Sequence, residues 1–217
     1  MAYPTETGIN VLTVVSGIRV LCGDTPMIKK IVGFITGKQP PKDVREIIKE
    51  VSEKKKVNYS LALSIAKIES ALNVKAKAKT SSALGLYQFI DSTWANMINT
   101  YGSKNGIEDI GDRTNPEHST LMFCELVKEN ERYLKKNGHK NLSDTDFYLA
   151  HFLGPRKAHD FISARDISGK KVAKDLFPLE AKANPSVFYN KNTPRTLNEV
   201  YDLFSLKLKK ALEKEKV

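Results

Sequence analysis

Glu69 lies in the stretch "LALSIAKIESALNVKAKAKTSSALGLYQFIDSTW", a carboxylate among alanines, leucines and isoleucines. At about 100° per residue of an α-helix, Ala62, Ile65, Ala66 and Leu72 fall on its side of the wheel, while Ser64 and Lys67 fall opposite. Glu69 is therefore expected on an apolar face. Poor hydration there disfavours a charged carboxylate and suits a general acid; the alternative is a buried glutamate satisfied by a lysine or by main-chain donors. The next twenty residues of the chain favour the chemical reading. "TSSALGLYQF" places small residues and Gly85 in a loop close to the helix end, where main chain can approach a bulky ligand without a Cβ in the way. Gln88 adds an amide able to hold a hydroxyl or an N-acetyl group. Tyr87, Phe89 and Trp94 offer aromatic faces, with core packing the better role for Trp94.

These side chains need helices to position them, and the sequence supplies helices nearly throughout. "KDVREIIKEVSEKKKV" repeats Val44, Ile47, Ile48 and Val51 at three- and four-residue spacing. Asn58 is expected to cap the helix that carries Glu69, and Asp91 to cap "STWANMINTY". Asn115 followed by Pro116 opens a long helix that stops at Gly138. Ser143 opens "DTDFYLAHFLG", closed by Gly154 and Pro155. "RKAHDFISA", "VAKDLF" and the amphipathic "TLNEVYDLFSLKLKKALEK" come next. Strand-like alternation of Val, Ile and Thr is nearly absent, so the fold class is all-α.

The ordered set "IAKIES", "SSALGLYQF" and "STW" resembles the lytic transglycosylases of the goose-type lysozyme-like superfamily. In that family a helix-borne Glu in an "ES" pair precedes a "GLMQ"-like motif. Glu69 and Ser70 match the pair; Gly85, Leu86 and Gln88 match the second motif, with Tyr87 in the Met position. A third family motif, "AYNAGPG", is represented by "FYLAHFLGPRKA", in which Gly154 and Pro155 match the Gly-Pro and His151 stands at the usual Tyr position. Tyr148 lies one turn earlier on the same face, so either Tyr148 or His151 could hydrogen-bond Glu69. The "YLAHFLG" form looks like a phage-associated branch of the superfamily. The resemblance covers roughly residues 45–165. The stretch 176–201 also looks like the segment downstream of the catalytic motifs in that branch, and is expected to close one side of a groove.

The resemblance implies a lysozyme-like domain, with Glu69 as catalytic residue, Tyr148 or His151 in support, and Ser70, Ser82, Gly85, Leu86, Tyr87, Gln88 and Phe89 around the substrate. It also resolves a difficulty. Glycosidases usually employ two carboxylates, yet no second Asp or Glu stands in a matching motif and Asp91 reads as a cap. In lytic transglycosylases one Glu protonates the oxygen between N-acetylmuramic acid and N-acetylglucosamine, then takes a proton from the sugar's own 6-hydroxyl to close a 1,6-anhydro ring. The implied partner is the glycan strand of peptidoglycan, with no metal or other cofactor. His118, His139, His151, His159, Cys22 and Cys124 show no zinc-ligand spacing.

Composition bounds the remaining possibilities. With 217 residues, 41% hydrophobic and 28% charged, the chain suits one sizeable domain or a domain with an appendage. Its 35 Lys and Arg against 25 Asp and Glu give +10, attractive to nucleic acid, anionic lipid or acidic wall polymers. Much of that excess sits in solvated runs such as "EKKKV" and "KAKAK". A nucleic-acid binder would need a basic stripe with base-reading side chains and would leave three ordered motifs as coincidence, so no specific nucleic acid is expected. Pro40 and Pro41 suggest a boundary: residues 1–40 as an N-terminal arm, 41–190 as the catalytic domain, and 191–217 as a C-terminal amphipathic helix packed on or near it. The apolar run 9–21 is interrupted by Arg19 and falls short of the roughly 20 residues a bilayer span needs. No signal peptide or transmembrane anchor is expected, which implies synthesis in the cytoplasm and action at the wall, in the periplasm, through a virion or a lysed membrane. The arm reads as a packing segment or as a docking element for a phage particle or secretion apparatus. A structural delivery component and a hydrolytic endolysin are the competing readings.

Overall fold

The structure is a computed structural model, and it describes residues 42–108 and 110–213. The expected arm, residues 1–40, lies outside the described residues, as does Cys22. The helices belong to a unit that begins at Val44.

Helix α1 (Val44–Lys54) buries Ile48 and Val51, with Val44 and Ile47 packed at the edge of the core. Helix α2 (Tyr59–Ser70) starts where Asn58 Oδ1 accepts the Ser60 N–H at 2.9 Å, satisfying one of the otherwise unpaired donors of a helix start. Residues 61–66 of α2 are all buried. Ser64, read from the wheel as lying away from the apolar face, is only 1% exposed. The wheel presumes one wet face, whereas α2 is enclosed by α1 and by the C-terminal helix, residues 197–213. The helix also ends two residues before Leu72: Ala71 (φ 53°) and Leu72 (φ 64°) are left-handed and turn the chain away.

Helix α3 (Asp91–Tyr101) departs from the expected cap. Ile90 occupies the capping position with no side-chain bond. Asp91 is the first residue inside, where its charge suits the positive helix end; its N–H donates to Ser82 Oγ at 3.1 Å and its carboxylate pairs with Arg113. Helix α4 (Pro116–Lys136) starts as expected, with Asn115 Oδ1 accepting from the Glu117 and His118 N–H groups and Pro116 in the first turn. Helix α5 (Asp144–Leu153) is held by a capping box in which Ser143 and Asp146 satisfy each other's main-chain N–H groups. Gly154, at φ 79°, permits the sharp passage into α6 (Pro155–Ser168).

Three short helices come next, α7 (Ala173–Leu176), α8 (Pro178–Ala183) and α9 (Pro185–Phe188). A two-residue-per-strand antiparallel hairpin joins them, β1 (Tyr189–Asn190) with β2 (Thr193–Pro194). The Arg195 guanidinium gathers the carbonyls of Ser186, Val187 and Tyr189 and so ties this segment together. Helix α10 (Leu197–Glu213) packs its Val200, Phe204 and Leu208 face against α2, α5 and α6. Lys67 Nζ donates to the Ala211 carbonyl at 3.0 Å, a cation at the negative end of α10. The fold is all-α, with this small hairpin as its one two-stranded sheet among the described residues. No helix among them is long and apolar enough to cross a membrane.

The core is one apolar cluster, with a buried ion pair at its edge. Lys55 Nζ lies 2.5 Å from Glu125 Oε1, and Glu125 is 2% exposed. Burial drives the Glu125 carboxyl upward, but its bonds to Lys55 and Asn105 outweigh that and hold it below the ordinary range. Removing one partner of such a pair strands a charge in the core. Lys55→Met is therefore expected to cost about 3 kcal/mol, read by urea denaturation; a loss under about 0.5 kcal/mol would show that water reaches the orphaned carboxylate.

Candidate functional site

Glu69 emerges half-buried from the last turn of α2 into a groove of about 830 Å³, within the usual range of ligand clefts. Tyr148 of α5 donates its Oη–H to Glu69 Oε1 at 3.0 Å. Glu69 Oε2 makes no hydrogen bond with the described residues and no lysine or arginine among them pairs with the carboxylate. The Tyr148 ring is 2% exposed and meets Phe204 edge-on at 4.8 Å, so its hydroxyl has little freedom to swing away. Burial above all, then the Glu69 charge and hydrogen bond, push the Tyr148 phenol well above its ordinary range. It stays a donor.

His151 faces the same groove without hydrogen-bonding Glu69. Its ring contacts Phe123 edge-on at 5.8 Å, and its Nδ1 is buried with no partner among the described residues. Burial lowers its pKa, against the opposing pull of the Glu69 charge and the Tyr87 main chain. Of the two side chains expected to reach Glu69, Tyr148 makes the bond.

The loop after α2 is a wall of the groove, and its residues divide sharply. Gln88 and Phe89 line the groove. Leu86 and Tyr87 do not: both are 0% exposed, and Tyr87 stacks on Phe123 with centroids 4.1 Å apart, so neither side chain offers a surface to a ligand. The reason is the Gly85 turn, which points these two side chains into the core. Ser70 also turns inward, donating to the Ala66 carbonyl at 2.8 Å, while the exposed Ser82 accepts from the Asp91 N–H. All four residues were expected around the substrate; the side chains of Leu86, Tyr87 and Ser70 are buried behind the groove, and Ser82 is exposed outside its lining. Trp94 is core, donating Nε1–H to the Ile110 carbonyl at 2.7 Å. Gln88 keeps its side chain in the groove wall, with Nε2 donating to the carbonyls of Ala76 and Gly85. Only its Oε1 is left for a ligand.

Gly85 shows why the loop takes this path. Its φ is +82°, and a Cβ there would lie 2.1 Å from the Arg113 carbonyl. The Arg113 guanidinium crosses back to the carbonyls of Ser82 and Phe89 and to the Asp91 carboxylate, at 2.9, 2.8 and 2.5 Å. Arg113 carries no sequence signal, because its partners are main-chain oxygens brought together only by folding.

The opposite wall was missed as well. It is made by Ser92, Thr93 and Asn96 of α3, Glu129 and Asn130 of α4, and Asn184 between α8 and α9. Glu129 is a second carboxylate facing the groove, and no motif surrounds it in the sequence. Asn184 places the 176–201 segment at the groove edge. Among the described residues no group of three or more His, Cys, Asp or Glu side chains could hold a metal ion.

Residues 46–148 match the family model described as the Transglycosylase SLT domain. The SLT match takes in Glu69, the Gly85–Phe89 loop, Arg113 and the three groove-lining residues of α4, Leu126, Glu129 and Asn130, and it ends at Tyr148. His151, Gly154 and α10 lie beyond it.

Two outcomes are expected from this geometry. Gly85→Ala combines a positive φ with a collision against main chain, so it should destabilise by at least about 2 kcal/mol in denaturant unfolding; a change below about 0.5 kcal/mol would mean that the turn at Arg113 yields. His151 binds its proton less tightly folded than unfolded. Its contribution is thus whole above the unfolded value of about 6.5 and declines as pH falls below it. Melting scans between about pH 7.5 and 5.5 should show a steeper loss for the wild type than for His151→Gln; parallel curves would contradict this.

Proposed function

We propose that this protein is a peptidoglycan lytic transglycosylase in which Glu69 is both acid and base. The observation that carries the reading is a half-buried carboxyl group at a groove of ligand size, steadied at one oxygen by Tyr148 and open at the other, in a region that matches the SLT family. Protonated Glu69 donates to the oxygen linking N-acetylmuramic acid to N-acetylglucosamine, and that bond breaks as the 2-acetamido group stabilises the positive carbon. The resulting carboxylate accepts the proton of the 6-hydroxyl, whose oxygen closes the 1,6-anhydro ring. Glu69 ends protonated, and no water is consumed. Tyr148 steadies the charged form between the two transfers.

The groove combines apolar Phe89, Met97, Leu126 and Phe152 with amides and hydroxyls, a mixture suited to the two-sided character of a sugar ring. The "YLAHFLG" form of the third motif supports action in a phage-associated setting, as a local opener of the wall.

Glu129 supplies the competing hydrolytic reading, since a second carboxylate could activate water. Digests of purified peptidoglycan, analysed by mass, separate the two: anhydro ends are expected, each lighter by one water than the reducing ends of a hydrolase. Glu69→Gln should lower the rate by about two orders of magnitude or more, the scale of general acid–base catalysis. Glu129→Gln should stay within about tenfold of wild type with the same anhydro products. Loss of cleavage in the Glu129 variant, or reducing-end products from the wild type, would overturn the single-carboxylate mechanism.

A further inference from the structure

Asn130 is out of place in the core. It sits on α4, 2% exposed, yet neither its buried Oδ1 nor its Nδ2 has a hydrogen-bond partner among the described residues. Buried polar groups nearly always find a partner, because one left unmatched forfeits its hydrogen bonds to water. An apolar residue would be cheaper here. Leu126, one turn earlier on the same face of α4, and Met97 of α3 line the same groove and show that the position tolerates aliphatic side chains. The partner that Asn130 lacks within the protein is therefore to be sought in the groove it borders.

We propose that Asn130 is a specificity-determining residue that binds the 2-acetamido group of a sugar in the groove, its Nδ2 donating to the acetamido C=O. The assignment rests on the proposed sugar-cleaving function and adds to it a named contact. An acetamido group offers one donor, one acceptor and a methyl. Asn130 offers one acceptor and a two-proton donor, and a half-turn of its amide exchanges which of them faces the ligand. Leu126, half-buried at the groove, supplies apolar surface for the methyl. A hydroxyl at the same carbon carries neither the carbonyl nor the methyl. Glu69 and Gln88 belong to the chemistry and the loop wall; Asn130 stands on the other wall and selects.

The test uses two neutral saccharides, triacetylchitotriose and cellotriose, which differ in carrying an acetamido group or a hydroxyl at that carbon. Calorimetry on the full chain with Glu69→Gln, which blocks turnover, measures each affinity. The parent is expected to prefer the acetylated sugar. Adding Asn130→Leu should weaken the acetylated sugar about tenfold, the usual effect of losing one well-formed hydrogen-bonded contact, and leave cellotriose within about twofold. Unchanged affinity for the acetylated sugar, or an equal loss for both, overturns the assignment while leaving the wall-cleaving reading intact. A parent that binds neither sugar overturns both. Melting gives a second readout: Asn130→Leu should melt no lower than the parent, because it removes an unmatched buried amide. A marked fall in melting temperature would reveal a structural partner and sink the proposal.

Discussion

The hydrogen bond from Tyr148 to Glu69 is the constraint on which the site depends. It joins the last turn of α2 to the middle of α5, and everything around it keeps those two helices in register. α2 cannot roll, because residues 61–66 are buried on every side. α5 cannot slide, because its N-terminal capping box is itself gripped: Tyr201 of α10 hydrogen-bonds Ser143 Oγ at 2.8 Å and reaches Asp146 at 3.3 Å, while Phe204 backs the Tyr148 ring. The proposed proton transfers require a carboxyl group fixed to within fractions of an ångström, and rigid helices hold Glu69 in place.

The loop opposite is built on the reverse principle. Ala71, Leu72 and Gln88 all adopt left-handed conformations that non-glycine residues avoid, and all three stand within the turn of chain between Glu69 and the groove wall. Such local strain persists only where surrounding bonds over-determine the path. Arg113 and the Gln88 amide provide those bonds, together with the Gly85–Arg113 main-chain contact. The outcome is a wall whose position is set by the fully buried Leu86 and Tyr87 and whose groove-lining side chains are Gln88 and Phe89.

Much of this was legible in the sequence because it is local. Caps at Asn58, Asn115 and Ser143, the stop at Gly154–Pro155 and the three- and four-residue periodicity are short-range effects, and the all-α fold followed from them. The resemblance to the third motif singled out His151, and helix geometry added Tyr148 one turn earlier. The hidden part is long-range. Arg113 reaches carbonyls more than twenty positions away. Glu129 and Asn130 gain meaning only when α4 is laid against α3. Ser64 misled because a helical wheel assumes a surface helix, and Asp91 misled because capping and ion pairing use the same residue type. The Gly-Leu-Tyr-Gln run showed where the wall lies, but the inward turn of Leu86 and Tyr87 depends on a glycine dihedral that sequence does not display.

The placement of α10 bears on what counts as the smallest working piece. The recognisable signature stops at residue 148, while the helix that underpins Tyr148 begins at Leu197. A fragment trimmed to the signature would keep the proton donor and lose its scaffold, leaving the greasy underside of α2 and α5 open to water. In this molecule the Glu69–Tyr148 pair is set within the signature, and its rigidity is supplied by a helix outside it.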